Sequence, residues 1–63
     1  MALSPEGVRK LRHDLSNPLS AILAETQLLL LNEDRYDEET RTSLRQIESL
    51  SRKMREMLQD MDE

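Results

Sequence analysis

Two stretches of aliphatic residues recur at helical spacing along the chain, and a short polar run separates them. In an α-helix, side chains three and four residues apart share one face. The residues of the first stretch that fall within about 60° of one line are Val8, Leu11, Leu15, Leu19, Ile22, Thr26, Leu29 and Leu30. Those of the second stretch are Leu44, Ile47, Ser51, Met54, Leu58 and Met61, widened by Leu50 and Met57. The pattern predicts an all-α chain with two long amphipathic helices.

Capping signals predict where the two helices begin. Ser4 offers a side-chain acceptor at the N-cap position, and Pro5 loses nothing at the first helical position. The polar run NEDR interrupts the aliphatic spacing, and Asp37 then offers a second N-cap, followed by two glutamates. The predicted segments are helix one over about 5–32, a turn over about 33–36 and helix two over about 37–62.

A single hairpin of two such helices buries only part of each apolar stripe. The chain has 63 residues and no cysteine, so a disulfide framework cannot supply the missing stability. Pairing two hairpins about a two-fold axis closes a four-helix bundle. We therefore expect residues 1–63 to be one domain, an antiparallel two-helix hairpin that pairs into a homodimeric four-helix bundle. The expected interface residues are Leu11, Leu15, Leu19, Ile22, Leu44, Ile47, Met54 and Leu58.

Composition argues against several classes of function. Thirteen acidic residues against nine basic ones give a net charge of -4, and Tyr36 is the single aromatic residue, which argues against nucleic-acid binding. The sequence has no glycine after Gly7, so it contains no phosphate-binding glycine loop for ATP. One histidine without cysteine does not make a metal site. We expect this chain to bind no metal or cofactor.

Membrane contact is also disfavoured. No apolar run approaches the roughly 20 residues that a membrane span needs. A membrane-surface helix would need basic residues beside an apolar face with aromatic anchors, and the acidic balance without Trp or Phe makes a poor match. We expect no membrane contact by this segment and a cytoplasmic location, with any membrane anchor lying elsewhere in a parent protein. Vesicle binding would contradict this expectation.

One histidine lies away from the predicted core. His13 projects about 160° from the centre of the first stripe, so it should face solvent. Asp14 follows it directly, and Asn17 lies one turn further on, which brings an imidazole, a carboxylate and an amide within reach of one another. Pro18 removes the amide that would bond to the Asp14 carbonyl, at a cost of about 3 kcal/mol, and predicts a kink. An exposed histidine is usually a tolerated surface residue, but a polar group beside bent backbone favours a function.

Residues 13–19, with the sequence HDLSNPL, carry a resemblance to a known family. They resemble the phosphoacceptor motif, the H-box, of the dimerisation and histidine-phosphotransfer domain of bacterial sensor histidine kinases. That domain is also a two-helix hairpin of this size, has its histidine in the first helix, and dimerises as a four-helix bundle. Arg12 stands where many members have serine, and Ser16 where many have a basic residue. Asn17 in place of threonine resembles the nitrogen-regulator type of motif.

The resemblance implies a role for each residue of the motif. His13 would receive the γ-phosphoryl group of ATP and pass it to an aspartate of a response-regulator receiver domain. Asp14 would orient the imidazole and act as general base, and Asn17 would position a water molecule for dephosphorylation of the receiver. ATP and Mg²⁺ would be used by a separate ATP-binding kinase domain. The chain would thus be part of an ATP-dependent protein-histidine kinase, inactive without that domain.

Three basic residues flank the histidine. Arg9, Lys10 and Arg12 could attract phosphate or the acidic pocket of a receiver domain, so we predict that they bind partners, although exposed basic residues are usually a solvated face. A second function stays open beside the kinase role. The chain could be a non-catalytic, dimeric helical-hairpin interaction module, and the presence of an ATP-binding domain after Glu63 in the parent chain would discriminate between the two.

Overall fold

The computed structural model describes residues 4–61, which form two long α-helices joined by a short turn. Helix α1 spans Pro5–Leu30, a 3₁₀ turn spans Glu33–Arg35, and helix α2 spans Glu38–Asp60. The described residues extend over 46 × 17 × 15 Å. Since a helix of 26 residues is about 39 Å long, α1 and α2 must lie side by side. The predicted all-α hairpin is confirmed.

Helix α1 begins where the capping signal predicts. The Ser4 hydroxyl oxygen accepts a hydrogen bond of 2.9 Å from the Gly7 amide, and the Ser4 carbonyl accepts one of 2.9 Å from the Val8 amide. The first bond pairs an amide that has no carbonyl acceptor within the helix, and the second is the first bond of the regular helical pattern. Pro5 occupies the first helical position, where it needs no amide donor.

Helix α1 ends at Leu30, two residues before the predicted end at 32. The Leu31 amide is shared between the carbonyls of Gln27 and Leu28, at 3.2 and 3.3 Å. The Asn32 amide bonds to the Leu29 carbonyl at 3.2 Å. The hydrogen bonds thus shift to carbonyls three residues back, which tightens the last turn and ends the α-helix.

Helix α2 begins one residue after the predicted position 37, because Asp37 is its cap rather than its first helical residue. The Asp37 carboxylate accepts a hydrogen bond of 2.8 Å from the Thr40 amide. The helix ends at Asp60, whereas the predicted end at 62 lies outside the described residues.

Two side chains of α2 tie it to the preceding turn. Arg45 forms an ion pair and hydrogen bond with Glu33, twelve residues earlier in the chain. The Arg41 guanidinium donates a hydrogen bond of 3.1 Å to the Tyr36 carbonyl. Both contacts join the N-terminal half of α2 to the turn and fix the direction in which α2 leaves it.

The core of the hairpin is small and partly polar. Its buried residues are Leu19, Leu23 and Thr26 from α1 and Ser51 and Leu58 from α2. The Thr26 hydroxyl donates a hydrogen bond of 2.7 Å to the Ile22 carbonyl, which satisfies the buried hydroxyl within its own helix. Leu23 is absent from the predicted stripe because it lies about 80° from the centre of that stripe.

Much of the remaining apolar surface is uncovered in the single hairpin. Ile22 and Met54 each keep half of their surface exposed. An open groove between the helices is lined by Leu15, Pro18, Leu19, Ile22, Ile47, Leu50, Ser51 and Met54. All of these residues except Pro18 belong to the two predicted apolar stripes or widen them, so the groove is the surface that a second copy would cover in the predicted bundle.

Neither helix within residues 4–61 combines the length and apolar character that crossing a membrane requires.

Candidate functional site

His13 lies in the third turn of α1 with 75% of its side chain exposed. The buried residues of α1 all come later in the helix and on another side of it. The predicted orientation toward solvent is confirmed. An imidazole in this position is accessible to a large macromolecular partner, which a buried histidine would not be.

The carboxylate of Asp14 lies beside the ring of His13. Its Oδ1 atom is 3.8 Å from His13 Nδ1, a separation longer than a hydrogen bond. Consecutive residues of a helix project about 100° apart, which explains why the two side chains approach without a close contact. The ring nitrogen that faces the carboxylate is Nδ1, and Nε2 is the other nitrogen.

Asp14 has a second partner in Lys10, one turn earlier in the helix. The Lys10 ammonium donates a hydrogen bond of 2.9 Å to Asp14 Oδ2. This bond and the Lys10 charge lower the pKa of Asp14, with a smaller lowering from His13, and the same bond raises the pKa of Lys10. The sequence analysis predicts that Lys10 binds a partner through its charge and does not predict this contact, although a spacing of four residues is the signal for it.

Asn17 and Pro18 occupy the next turn of α1, and both are exposed. Within residues 4–61 no hydrogen bond links Asn17 to His13 or Asp14. Helix α1 continues through Pro18, whose ring lines the apolar groove. The predicted kink at Pro18 and the predicted role of Asn17 stay predictions.

The other two basic residues of the predicted site differ in exposure. Arg9 is exposed, and Arg12 is half-buried. Their predicted role in partner binding stays a prediction. No group of three or more His, Cys, Asp or Glu side chains in the described part of the chain is arranged to hold a metal ion.

Comparison with known families decides what kind of domain carries this site. The profile of the His Kinase A (phospho-acceptor) domain, HisKA, matches residues 8–63, which include His13 and nearly all of the hairpin. The chain belongs to the HisKA family. The resemblance of the H-box segment is thereby confirmed. Searches of curated proteins and of solved structures found no match.

Membership of the HisKA family establishes the general role of the chain. HisKA domains are the phosphoacceptor and dimerisation domains of histidine kinases in two-component signalling, and they pair as homodimeric four-helix bundles. Homodimerisation accounts for the open groove, because the second hairpin of the bundle covers apolar side chains that a single hairpin leaves exposed.

Proposed function

We propose that His13 accepts the γ-phosphoryl group of ATP and then passes it to an aspartate of a response-regulator receiver domain. ATP and Mg²⁺ are held by a separate ATP-binding kinase domain. The observation that supports this role is the exposure of the His13 side chain together with the carboxylate that faces one of its two ring nitrogens. Because ATP supplies the phosphoryl group, the reaction belongs in the cytoplasm.

The first transfer uses the nitrogen that does not face Asp14. His13 Nε2 attacks the γ-phosphorus, a nitrogen–phosphorus bond forms, the bond to the bridging oxygen breaks, and ADP leaves with that electron pair. The ring gains positive charge, which the Asp14 carboxylate stabilises, and Asp14 accepts the proton of Nδ1 as general base. The resulting phosphohistidine carries the phosphoryl group on the ring nitrogen that does not face Asp14.

The second transfer returns His13 to its starting state. A carboxylate oxygen of the receiver aspartate attacks the phosphorus, the nitrogen–phosphorus bond breaks, and the imidazole takes back a proton at Nδ1. Asn17 orients the water molecule that later hydrolyses the phosphoaspartate, since an amide both donates and accepts hydrogen bonds. Arg9 and Arg12 add positive charge near the path of the phosphoryl group.

Labelling with radioactive ATP tests the role of His13. The chain with ATP alone should stay unlabelled. Adding the separately expressed ATP-binding domain of the kinase should give an acid-labile, alkali-stable phosphoramidate, and adding the receiver should move the label onto the receiver. His13→Gln should abolish labelling while keeping the helicity and dimerisation of the wild type, because the exposed side chain takes no part in packing.

Two results would contradict the proposal. Labelling that survives in His13→Gln would place the phosphoryl group on another residue. A wild-type chain that stays unlabelled with an ATP-binding domain shown to phosphorylate another HisKA domain would favour the non-catalytic, dimeric interaction module instead.

A further inference from the structure

The contacts of Asp14 assign a function to Lys10 that neither the family match nor the H-box motif supplies. We propose that Lys10 is a positioning residue, which holds the Asp14 carboxylate so that its Oδ1 atom faces His13 Nδ1. The inference rests on the function proposed for His13. It replaces the expectation that Lys10 attracts a partner by charge.

The two oxygens of the Asp14 carboxylate have separate partners. Oδ2 accepts the hydrogen bond from the Lys10 ammonium at 2.9 Å, and Oδ1 lies 3.8 Å from His13 Nδ1. Lys10 is one turn closer to the helix N-terminus, about 40° from Asp14 and about 60° from His13 around the axis. Helical side chains lean toward the N-terminus, so Asp14 leans toward Lys10. The ammonium therefore restrains one oxygen and leaves the other for the imidazole.

Asp14 must be ionised to accept a proton or a hydrogen bond from His13, and the Lys10 ammonium favours that form. An ionised carboxylate is an acceptor at both oxygens, whereas a protonated one would present a donor. Within residues 4–61 the pKa of Asp14 is lowered mainly by Lys10 and to a smaller extent by His13, both of α1. Since an ordinary exposed aspartate is already ionised at neutral pH, the contribution of Lys10 to the reaction is the orientation of the carboxylate rather than its charge.

The contact between Lys10 and Asp14 contributes little to the stability of the fold. The two side chains are 78% and 54% exposed, and exposed ion pairs on a helix stabilise it only slightly. A functional effect of changing Lys10 can therefore be measured without unfolding the hairpin.

Rates of His13 phosphorylation by the separate ATP-binding domain test the proposal. Lys10→Met should lower the initial rate about three- to tenfold, because Asp14 loses its restraint. Lys10→Arg keeps a donor of similar reach and should recover most of the rate. Lys53→Met is the matched control, since it removes a lysine from an exposed position on α2. It should leave the rate unchanged.

A double substitution separates positioning from attraction of a partner. In an Asp14→Asn chain, Lys10→Met should cause no further loss, because Lys10 acts through the carboxylate. If Lys10→Met causes the same loss in the Asp14→Asn chain as in the wild type, Lys10 acts directly on the phosphoryl group or the kinase domain. That result would overturn the proposal, as would an unchanged rate in Lys10→Met.

Carboxyl carbon NMR gives a readout that does not depend on phosphorylation. Titration of Asp14 should move to higher pH in Lys10→Met and stay in place in Lys53→Met. An Asp14 titration unaffected by Lys10→Met would overturn the contact itself. If the wild type is never labelled at His13, the proposed function fails by that result, and the NMR titration still reports whether Lys10 holds the carboxylate.

Discussion

The polar side chains of the candidate site lie on two successive turns of α1. His13 and Asp14 form one polar pair, and Asn17 lies on the following turn without a hydrogen bond to either of them in the described chain. An amide orients water but does not accept a proton at neutral pH. For this reason the role proposed for Asn17 is in the hydrolysis of the receiver's phosphoaspartate and not in the phosphorylation of His13.

Asn17→Ala should separate the two activities. In the complete kinase, phosphorylation of His13 should stay near the wild-type rate, whereas dephosphorylation of the receiver should slow at least about tenfold, because the attacking water loses its orienting group. Both rates are followed with labelled phosphate. Ser20→Ala, an exposed substitution one turn further along α1, is the control and should change neither rate. Equal loss of both activities in Asn17→Ala would remove the assignment.

At the residue level, the sequence predicts which residues form the candidate site and which way they face better than it predicts the contacts between them. The position of His13 opposite the apolar stripe is enough to predict its exposure, and the H-box segment identifies the family. The hydrogen bond between Lys10 and Asp14 is not predicted in the same way, because a lysine on a helix has several partners within reach and only the structure shows which one it takes.

The starts of both helices depend on side-chain caps. Asp37→Ala should lower the melting temperature by several degrees, because the Thr40 amide loses its acceptor at the start of α2. Asp34→Ala is the matched control, since Asp34 is exposed in the preceding 3₁₀ turn. Thermal unfolding followed by circular dichroism measures both. If Asp34→Ala lowers the melting temperature as much as Asp37→Ala does, the effect comes from the change in net charge rather than from the cap.

The contribution of the Asp37 cap should also depend on pH. Hydrogen bonds from Thr40 lower the pKa of Asp37 below that of an ordinary carboxyl group. A group whose pKa falls on folding adds stability above its unfolded pKa and loses it as pH drops through its folded value. The difference in melting temperature between wild type and Asp37→Ala should therefore be full at neutral pH and shrink in acid. A difference that stays constant into strong acid would contradict the role of the charged cap.

Helix ends are harder to predict from this sequence than helix starts. Ser4 and Asp37 are specific N-cap residues, and both act as caps. After Leu30 the chain continues with another leucine, and no glycine marks the end of the helix. The aliphatic run continues through Leu31, and the predicted helix end at about 32 lies two residues beyond the end of α1 at Leu30.

In the whole molecule, the apolar stripe of each helix is covered partly by the other helix of the same chain and partly by the second copy of the dimer. Leu19 and Leu23 are buried in the single hairpin, whereas Leu15 and Ile22 stay exposed in the open groove. A helical projection of the sequence shows a single wide stripe on each helix. It does not show which part of that stripe packs against the other helix of the same chain and which part packs against the second copy. For this reason Leu23 lies outside the predicted core, while the dimeric architecture itself is predictable from the width of the stripes.

Substitution within the groove should couple dimerisation to folding. Ile22→Asp or Ile47→Asp should dissociate the dimer and unfold the chain together, because a charge without a partner would be buried in the bundle. Ala24→Asp is the control, since Ala24 is exposed about 160° around α1 from Ile22. Sedimentation and circular dichroism at micromolar concentration measure both properties. A wild-type monomer with full helicity would contradict the burial argument.

The most direct test of the role of His13 is to find which of its nitrogens carries the phosphoryl group. The chain is labelled with nitrogen-15, phosphorylated by the ATP-binding domain, and studied by phosphorus and nitrogen NMR at alkaline pH. Because Nδ1 faces Asp14, we predict a phosphorus–nitrogen coupling to Nε2 of His13. A phosphoryl group on Nδ1, or on a residue other than His13, would contradict the proposed mechanism.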